Sequence, residues 1–490
     1  MIFQRIWNMI NNAMPQINSG EIINNNHYLE LEILRWKTSP KRMMMIDGER
    51  YYNGDHDILR RKRTVIGKNG ELEEINNVPN NRIVDNQFKK MVDQKANFLF
   101  SKPVTFESKN ETFSDALNDI FNRQFLTKLK ILGVNSYLGG ISWLYVYYDK
   151  YGEIQFKVFK PYEVLPFWQD SEHTILDYAV RLYEVEVYNG SRLTIEEKVE
   201  VYKEDGIYRY DLVNNRLKED ADEPYSPYMK VDGQGYNWER LPLIPFKSNF
   251  QELPLIRCVK SLQDTLNLLI SNYVNNLDED PRNTILILKN YEGENLGEFR
   301  RNLSQYGAVK VRTIDGADGG VEALRIEVNA QNYELILKTI KKSIIENARG
   351  YDAKDDRIGS HANQMNLMSM YNDISLDADN TENEYQASFE KLLFFVKSYL
   401  ATKGIGEFNN EKVKIIFNRD MLLNTSEIID DLVKLGIRLP NSVLVPQVPF
   451  INDPDLVLKD LEKEDREQQM YAQAFQQPQV NDNEKSRVLD

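Results

Sequence analysis

Residues 254–281, PLIRCVKSLQDTLNLLISNYVNNLDEDP, set the frame for the rest of the chain. Leu255, Val259, Leu262, Leu266, Leu269, Tyr273 and Leu277 recur at steps of three and four, the spacing of one helix face. Pro254 suits a helix N-terminus and Pro281 stops the far end, which predicts a helix over about 254–280, roughly 40 Å long. A shorter helix is expected over 331–350, with Tyr333, Ile336, Ile340, Ile344 and Ala348 on one face. Between the two lies a compact α/β insertion: a strand at 284–288, a helix at 296–306, and strands at 308–314 and 321–328 around the glycine-rich turn 316–320. Beyond the second helix, the polar loop 350–362 is bounded by Gly350 and Gly359, where glycine permits backbone turns that other residues avoid. A long helix is expected over 363–400, acidic in its middle (Asp373, Asp377, Asp379, Glu382, Glu384) and apolar at its end.

Toward the N-terminus, a short helix is expected from His27 to Trp36, stopped by Ser39-Pro40, and a turn at 51–55. Helical spacing resumes from Ile83 through Leu99, and another helix is expected over 113–138. Residues 141–214 are Tyr- and Val-rich runs separated by Gly-containing turns, which predicts an antiparallel meander. Residues 215–250 read as a Pro- and Gly-rich loop. Toward the C-terminus come a strand at 413–417, helices at 426–435 and 454–469, and a Gln/Asn-rich tail from 473 expected to be disordered.

Composition narrows the function. The chain of 490 residues has 61 Lys+Arg against 75 Asp+Glu, a formal net charge of −14. So acidic a chain is poorly suited to wrapping DNA by general attraction, which depends on neutralising phosphates. The single cysteine, Cys258, rules out an internal disulfide or a multi-thiolate zinc site. The four histidines are far apart in sequence, no phosphate-cradling Gly-x-x-x-x-Gly-Lys motif occurs, and no acid pair stands out, so neither catalysis, a metal nor a cofactor is expected. The uncharged run 131–148 reads as a helix end, a Gly-Gly turn and an aromatic strand rather than a membrane span.

Six local runs, in order, resemble the portal proteins of tailed bacteriophages, most closely those of long-tailed phages of Gram-positive bacteria. They are Tyr51–Ile58 with its Tyr-Asn-Gly-Asp-His-Asp-Ile pattern, Asn81–Lys95 leading to Pro103-Val104, and Leu241–Asn249. Ile256–Asn267, Gly359–Met365 (His361 standing where the family has glycine) and Pro449–Pro454 complete the set.

The resemblance implies an α+β portal fold. Its parts would be a wing (1–250), a first stem helix (251–283), a clip (284–328), a second stem helix (329–350), a tunnel loop (351–362), a long helix with a wing return strand (363–423), a helical crown (424–472) and the tail (473–490). It further implies a ring of twelve at one capsid vertex of the virion, assembled in the host cytoplasm with the major capsid and scaffolding proteins. Double-stranded DNA would pass through it during packaging and ejection. The terminase large subunit would dock first, and a head-completion or adaptor protein later. On this reading Leu255, Val259, Leu262, Leu266, Leu269 and Tyr273 serve stem assembly. Asp352, Lys354, Asp355, Asp356, Arg357 and His361 line the tunnel, and Arg300, Arg301, Lys310 and Arg312 form the clip's docking patch. Two other functions stay open. A non-viral scaffold or interaction protein would be a monomer or dimer rather than a large ring. A metal-dependent DNA-processing enzyme would cleave DNA when given a divalent metal.

Overall fold

The structure, a computed structural model, describes residues 26–66, 70–75, 78–231, 233–279, 284–289, 320–325, 330–352, 364–419, 440–445, 448 and 454–474. It forms two units, Met1–Asp352 with Asp373–Arg419, and Ala353–Asn372 with Asp420–Asp490. Helices and strands alternate in blocks through the larger unit, an α+β arrangement.

The larger unit opens with helix α1 (Asn26–Lys37) and helix α2 (Pro40–Tyr52). Ser39-Pro40, expected only as a stop, also starts α2: the Ser39 side chain accepts the Arg42 N–H at 3.1 Å, and a proline costs nothing in a first helical turn. Short strands β1 (Thr64–Ile66) and β2 (Leu72–Glu74) pair with each other. Helix α3 (Gln87–Phe100) begins later than the spacing from Ile83 predicts, because residues 81–86 are non-helical and Asn86 caps the helix through Lys89 N–H. Strand β3 (Thr105–Ser108) follows. The single helix expected at 113–138 is two, α4 (Glu111–Ile120) and α5 (Arg123–Gly139), separated where Asn122 caps the second.

The expected meander divides into two sheets. Strands β4 (Ile141–Tyr148) and β5 (Ile154–Phe159) belong to one; β6 (Val164–Trp168), β7 (Leu176–Asn189), β8 (Arg192–Lys203), β9 (Gly206–Val213) and β10 (Arg216–Glu219) form the other in the order β10-β9-β8-β7-β6. Strand β11 (Tyr225–Ser226) adds to β9, and β12 (Met229–Val231) pairs with β13 (Gln234–Tyr236). The stretch 215–250 is therefore not simply loop. Its last part, β14 (Leu243–Lys247), is wholly buried and pairs with β4, with Pro245 on an edge strand where a missing N–H is tolerated.

Helix α6 (Ile256–Glu279) and helix α7 (Ala330–Asn347) flank strands β15 (Thr284–Lys289) and β16 (Gly320–Arg325), which pair antiparallel from Thr284↔Arg325 to Lys289↔Gly320. The helix and strand expected at 296–306 and 308–314 lie outside the described residues. Helix α8 (Gln364–Thr402) carries the long helical pattern, and β17 (Val413–Ile416) pairs with β3. One core sets Leu29 and Ile33 of α1 against Val180, Leu182, Val199 and Val201 of the larger sheet. A second joins Tyr51, Phe88, Met91, Tyr137, Ile256, Val259, Leu266 and Ile344. A third buries Tyr385 and Phe389 of α8 among Phe100, Phe106, Phe246 and Phe417.

In the smaller unit the described elements are Gln364–Asn372 of α8, helix α9 (Asn441–Leu444) and helix α10 (Pro454–Ala474). The helix expected at 426–435 and the tail beyond Ala474 lie outside the described residues. Among the described residues no helix is long and apolar enough to cross a membrane. The run 131–148 is the end of α5, a turn at Gly140 (φ 78°) and β4.

Candidate functional site

Helix α6 buries more than its leucines. Gln263, Asn267, Ser271 and Asn275, four residues apart, are fully or almost fully buried. They grip the non-helical segment ahead of α3 and the first turn of that helix. Asn81 N–H donates to Asn275 Oδ1 (2.7 Å), Ile83 N–H to Ser271 Oγ (2.9 Å), Asp85 N–H to Asn267 Oδ1 (3.0 Å) and Phe88 N–H to Gln263 Oε1 (3.0 Å). For the first three contacts the match is geometric: four helical residues rise about 6 Å, and two residues of extended chain about 6.6 Å, so a segment running antiparallel to the helix meets one side chain per alternate N–H; the fourth falls in the first turn of α3. A buried N–H left unmade would cost about 1–3 kcal/mol, which explains why a helix in a hydrophobic core retains a polar row.

The upper end of this ladder meets the 51–58 turn. Asn267 Nδ2 lies 2.8 Å from His56 Nδ1, and His56 Nε2 lies 3.0 Å from the Tyr51 carbonyl. Tyr51 Oη donates to Asp264 at 2.5 Å, while Lys260 reaches Tyr51 Oη, Asp57 and Asp264 at 2.8, 2.5 and 3.0 Å. Burial pushes the Tyr51 phenol well up, helped by Asp264. At Asp57 burial raises the carboxyl, but hydrogen bonds from Lys260 and Arg50 outweigh it and hold it well below the usual range. Three of the six runs that carry the resemblance, distant in sequence, thus form one contact.

Of the residues expected to serve stem assembly, Val259 and Leu266 are buried in the chain's own core, with Leu255 and Leu262 packed against it. Leu269 and Tyr273 are half-buried, and Tyr273 stacks obliquely on Tyr333 of α7 at 4.8 Å. The uncovered apolar residues of the pair are others: Leu268 and Leu277 (53% exposed) on α6, Leu335 (65%) and Ile336 on α7. Ile336, expected on the packed face, is displaced from it by Leu337, which packs against the core with Ile340.

The entrance to the 351–362 loop is pinned. Gln94 Nε2 donates to Tyr351 O at 2.8 Å and Gln94 Oε1 accepts Tyr351 N–H at 3.0 Å. The left-handed backbone here is at Arg349 (φ 51°), not at Gly350; a Cβ at 350 would lie 2.7 Å from Gln94 Oε1 and Met91 Sδ, so those side-chain ends would have to move to admit one. Asp352 is half-buried. Lys354, Asp355, Asp356, Arg357 and His361 lie outside the described residues, as do Arg300, Arg301, Lys310 and Arg312 of the clip patch.

The acidic middle of α8 is largely paired. Asp377 meets Lys95 at 2.7 Å, and Asp379 and Glu382 meet Arg419 at 2.6 and 2.5 Å. Just before α6, Glu252 sits at φ 55° with its carboxylate buried among Lys41 (2.6 Å), His173 (2.7 Å) and Lys247 (3.1 Å). Among the described residues no cluster of three or more His, Cys, Asp or Glu could hold a metal. Sequence reading missed the polar row and Lys95. The signal was present as Gln263, Asn267, Ser271 and Asn275 at strict four-residue spacing beside the leucines.

Comparison with known proteins sets this arrangement in a family. The family described as "Phage portal protein, SPP1 Gp6-like" matches residues 41–471. The portal protein of Bacillus phage SPP1 is 29% identical over 426 residues, covering 86% of this chain and 83% of that protein. The portal protein of Clostridium phage phiCD119 is 25% identical over 439 residues, covering 87% and 94%. The match takes in α2 with the 51–58 turn, the gripped segment, α6, α7 and α8, so the chain belongs to the SPP1 Gp6-like phage portal protein family.

Proposed function

We propose that this portal protein forms a closed ring of twelve at one capsid vertex and conducts double-stranded DNA during packaging and ejection. The observation that carries the ring is the α6–α7 pair. Its base is locked into the protomer by the polar ladder and the core at Val259, Leu266 and Ile344, yet Leu268, Leu277, Leu335 and Ile336 remain uncovered. A neighbouring copy would cover them, and a heterologous contact of this kind closes into a ring when the rotation permits. In this reading α6 and α7 are the stem, 284–328 the clip, 351–362 the tunnel loop, residues up to 250 with β17 the wing, and 424–472 the crown.

A conduit must let a polyanion slide, and strong phosphate contacts would hold it still. The net charge of −14 per chain suits that task, although paired carboxylates such as Asp377, Asp379 and Glu382 contribute less field than their number suggests. The terminase large subunit would dock on the clip, where Arg300, Arg301, Lys310 and Arg312 are the candidate contacts. A head-completion or adaptor protein would follow in the finished virion. Class-averaged electron micrographs of the purified protein test the ring: closed rings are expected, and a monodisperse monomer or dimer at all concentrations would overturn it.

A further inference from the structure

His56 is fully buried and both its ring nitrogens are engaged, so the proton on the ring has only one place to be. Asp85 N–H can only donate, which makes the Asn267 atom 3.0 Å away its oxygen. The Asn267 amide nitrogen therefore faces His56 Nδ1 and donates to it. Nδ1 must carry a lone pair, and the ring proton sits on Nε2, donating to the Tyr51 carbonyl, which also accepts from Asn86 Nδ2 at 2.8 Å. The same Asn267 oxygen takes a hydrogen bond from Gln263 Nε2 at 3.1 Å, and Gln263 Oε1 takes Phe88 N–H. A second ring proton, on Nδ1, would set two donors face to face. Rotating the Asn267 amide to relieve this would aim its NH₂ at Asp85 N–H and at the Gln263 amide, so no flip satisfies every partner.

We propose that His56 is a proton-operated latch whose protonation at Nδ1 releases residues 81–88 from their grip on α6. The charged groups around the ring come from every neighbour. Arg50 and Tyr51 lie on α2, the Tyr51 ring 4.4 Å away, and Asp57 on the turn beyond it. Asp85 stands on the gripped segment with its carboxylate held by Lys341 of α7 at 2.8 Å, and Lys260 and Asp264 stand on α6. Burial holds the imidazole below its ordinary value against the pull of Asp264, with Arg50 adding to the burial effect. The native chain thus binds fewer protons at this site than the unfolded chain below about pH 6.5, so the latch contributes stability above that pH and loses it as pH falls toward the lowered native value. The latch belongs to the protomer and operates whether or not rings form.

Hydrogen–deuterium exchange of the full chain, corrected for intrinsic rates, tests it between about pH 7.5 and 4.5. Protection of peptides spanning 81–88 is expected to fall about tenfold or more, with a midpoint that coincides with the His56 titration read from imidazole C2 exchange, while α5 peptides stay protected. His56→Gln, whose amide can accept from Asn267 and donate to Tyr51 without titrating, should keep 81–88 protected across the range. Protection in the parent that stays flat, or a His56→Gln chain that loses it as the parent does, overturns the latch. Should His56→Gln fail to fold, the two midpoints in the parent decide, and their separation by more than about one pH unit overturns it as well.

Discussion

Lys95 Nζ of α3 lies 2.7 Å from Asp377 Oδ2 of α8, and the two partners are unequally buried: Lys95 is 2% exposed and Asp377 25%. Burial pushes the lysine down from its ordinary value, with Asp377 opposing. Removing either partner should therefore have different consequences. Asp377→Asn leaves a buried ammonium without its counter-ion and should cost about 3–5 kcal/mol in denaturant unfolding. Lys95→Met leaves a carboxylate that water can reach and should cost less than about 1.5 kcal/mol. Equal losses would contradict the asymmetry.

The polar ladder should be separable from ordinary surface polarity on the same helix. Ser271→Ala strands the Ile83 N–H and should destabilise by about 1–3 kcal/mol, whereas Ser261→Ala, at an exposed position of α6, should change stability by no more than about 0.5 kcal/mol. Paired urea titrations of the two variants make the comparison.

Gly48 of α2 sets two opposed effects against each other. Alanine is the better helix former by about 1 kcal/mol, but its Cβ would stand 2.3 Å from the Leu138 carbonyl oxygen, backbone that cannot swing aside. Overpacking should win, so Gly48→Ala is expected to lower stability by about 1–3 kcal/mol, read as a drop in Tm.

Leucines of α6 and α7 should divide into folding and assembly classes. Leu266 is fully buried within the chain, so Leu266→Glu should reduce the yield of folded protein before any ring could form. Leu335→Asp places a charge where 65% of the side chain is open in the protomer, and should leave the circular dichroism and Tm of the protomer unchanged while depleting rings in native mass spectrometry. Abundant rings from Leu335→Asp would move the contact elsewhere.

Glu252 should set part of the acid limit of stability. Burial raises its carboxyl, but Lys41, His173 and Lys247 outweigh that and hold it below the ordinary value. Its contribution is therefore present above about pH 4.3 and is lost as pH falls through the lowered native value. Glu252→Gln should lose stability at pH 7 and show a shallower decline than the parent on acidification, measured as Tm against pH.

Sequence alone determined the elements whose signals are local. Helices α6 and α7, the Gly-turned strands between 141 and 213 and the α8 pattern stand where the spacing puts them, apart from Ile336 on α7. These depend on neighbours within a turn of helix or a few residues of strand, so periodicity and caps reveal them. Tertiary structure decided what depends on partners far along the chain. Ile83 and Val84 fit a helix by spacing, yet the segment stays out of helix where Asn267, Ser271 and Asn275, more than 180 positions away, supply its N–H groups with acceptors. Leu241–Lys247 reads as loop for its prolines, yet its strand forms because β4 offers a ladder to pair with. Lys95, an unremarked charge in an apolar run, found Asp377 282 positions away. A backbone N–H or a buried charge must be satisfied by some group, and which one is settled only when the chain has folded.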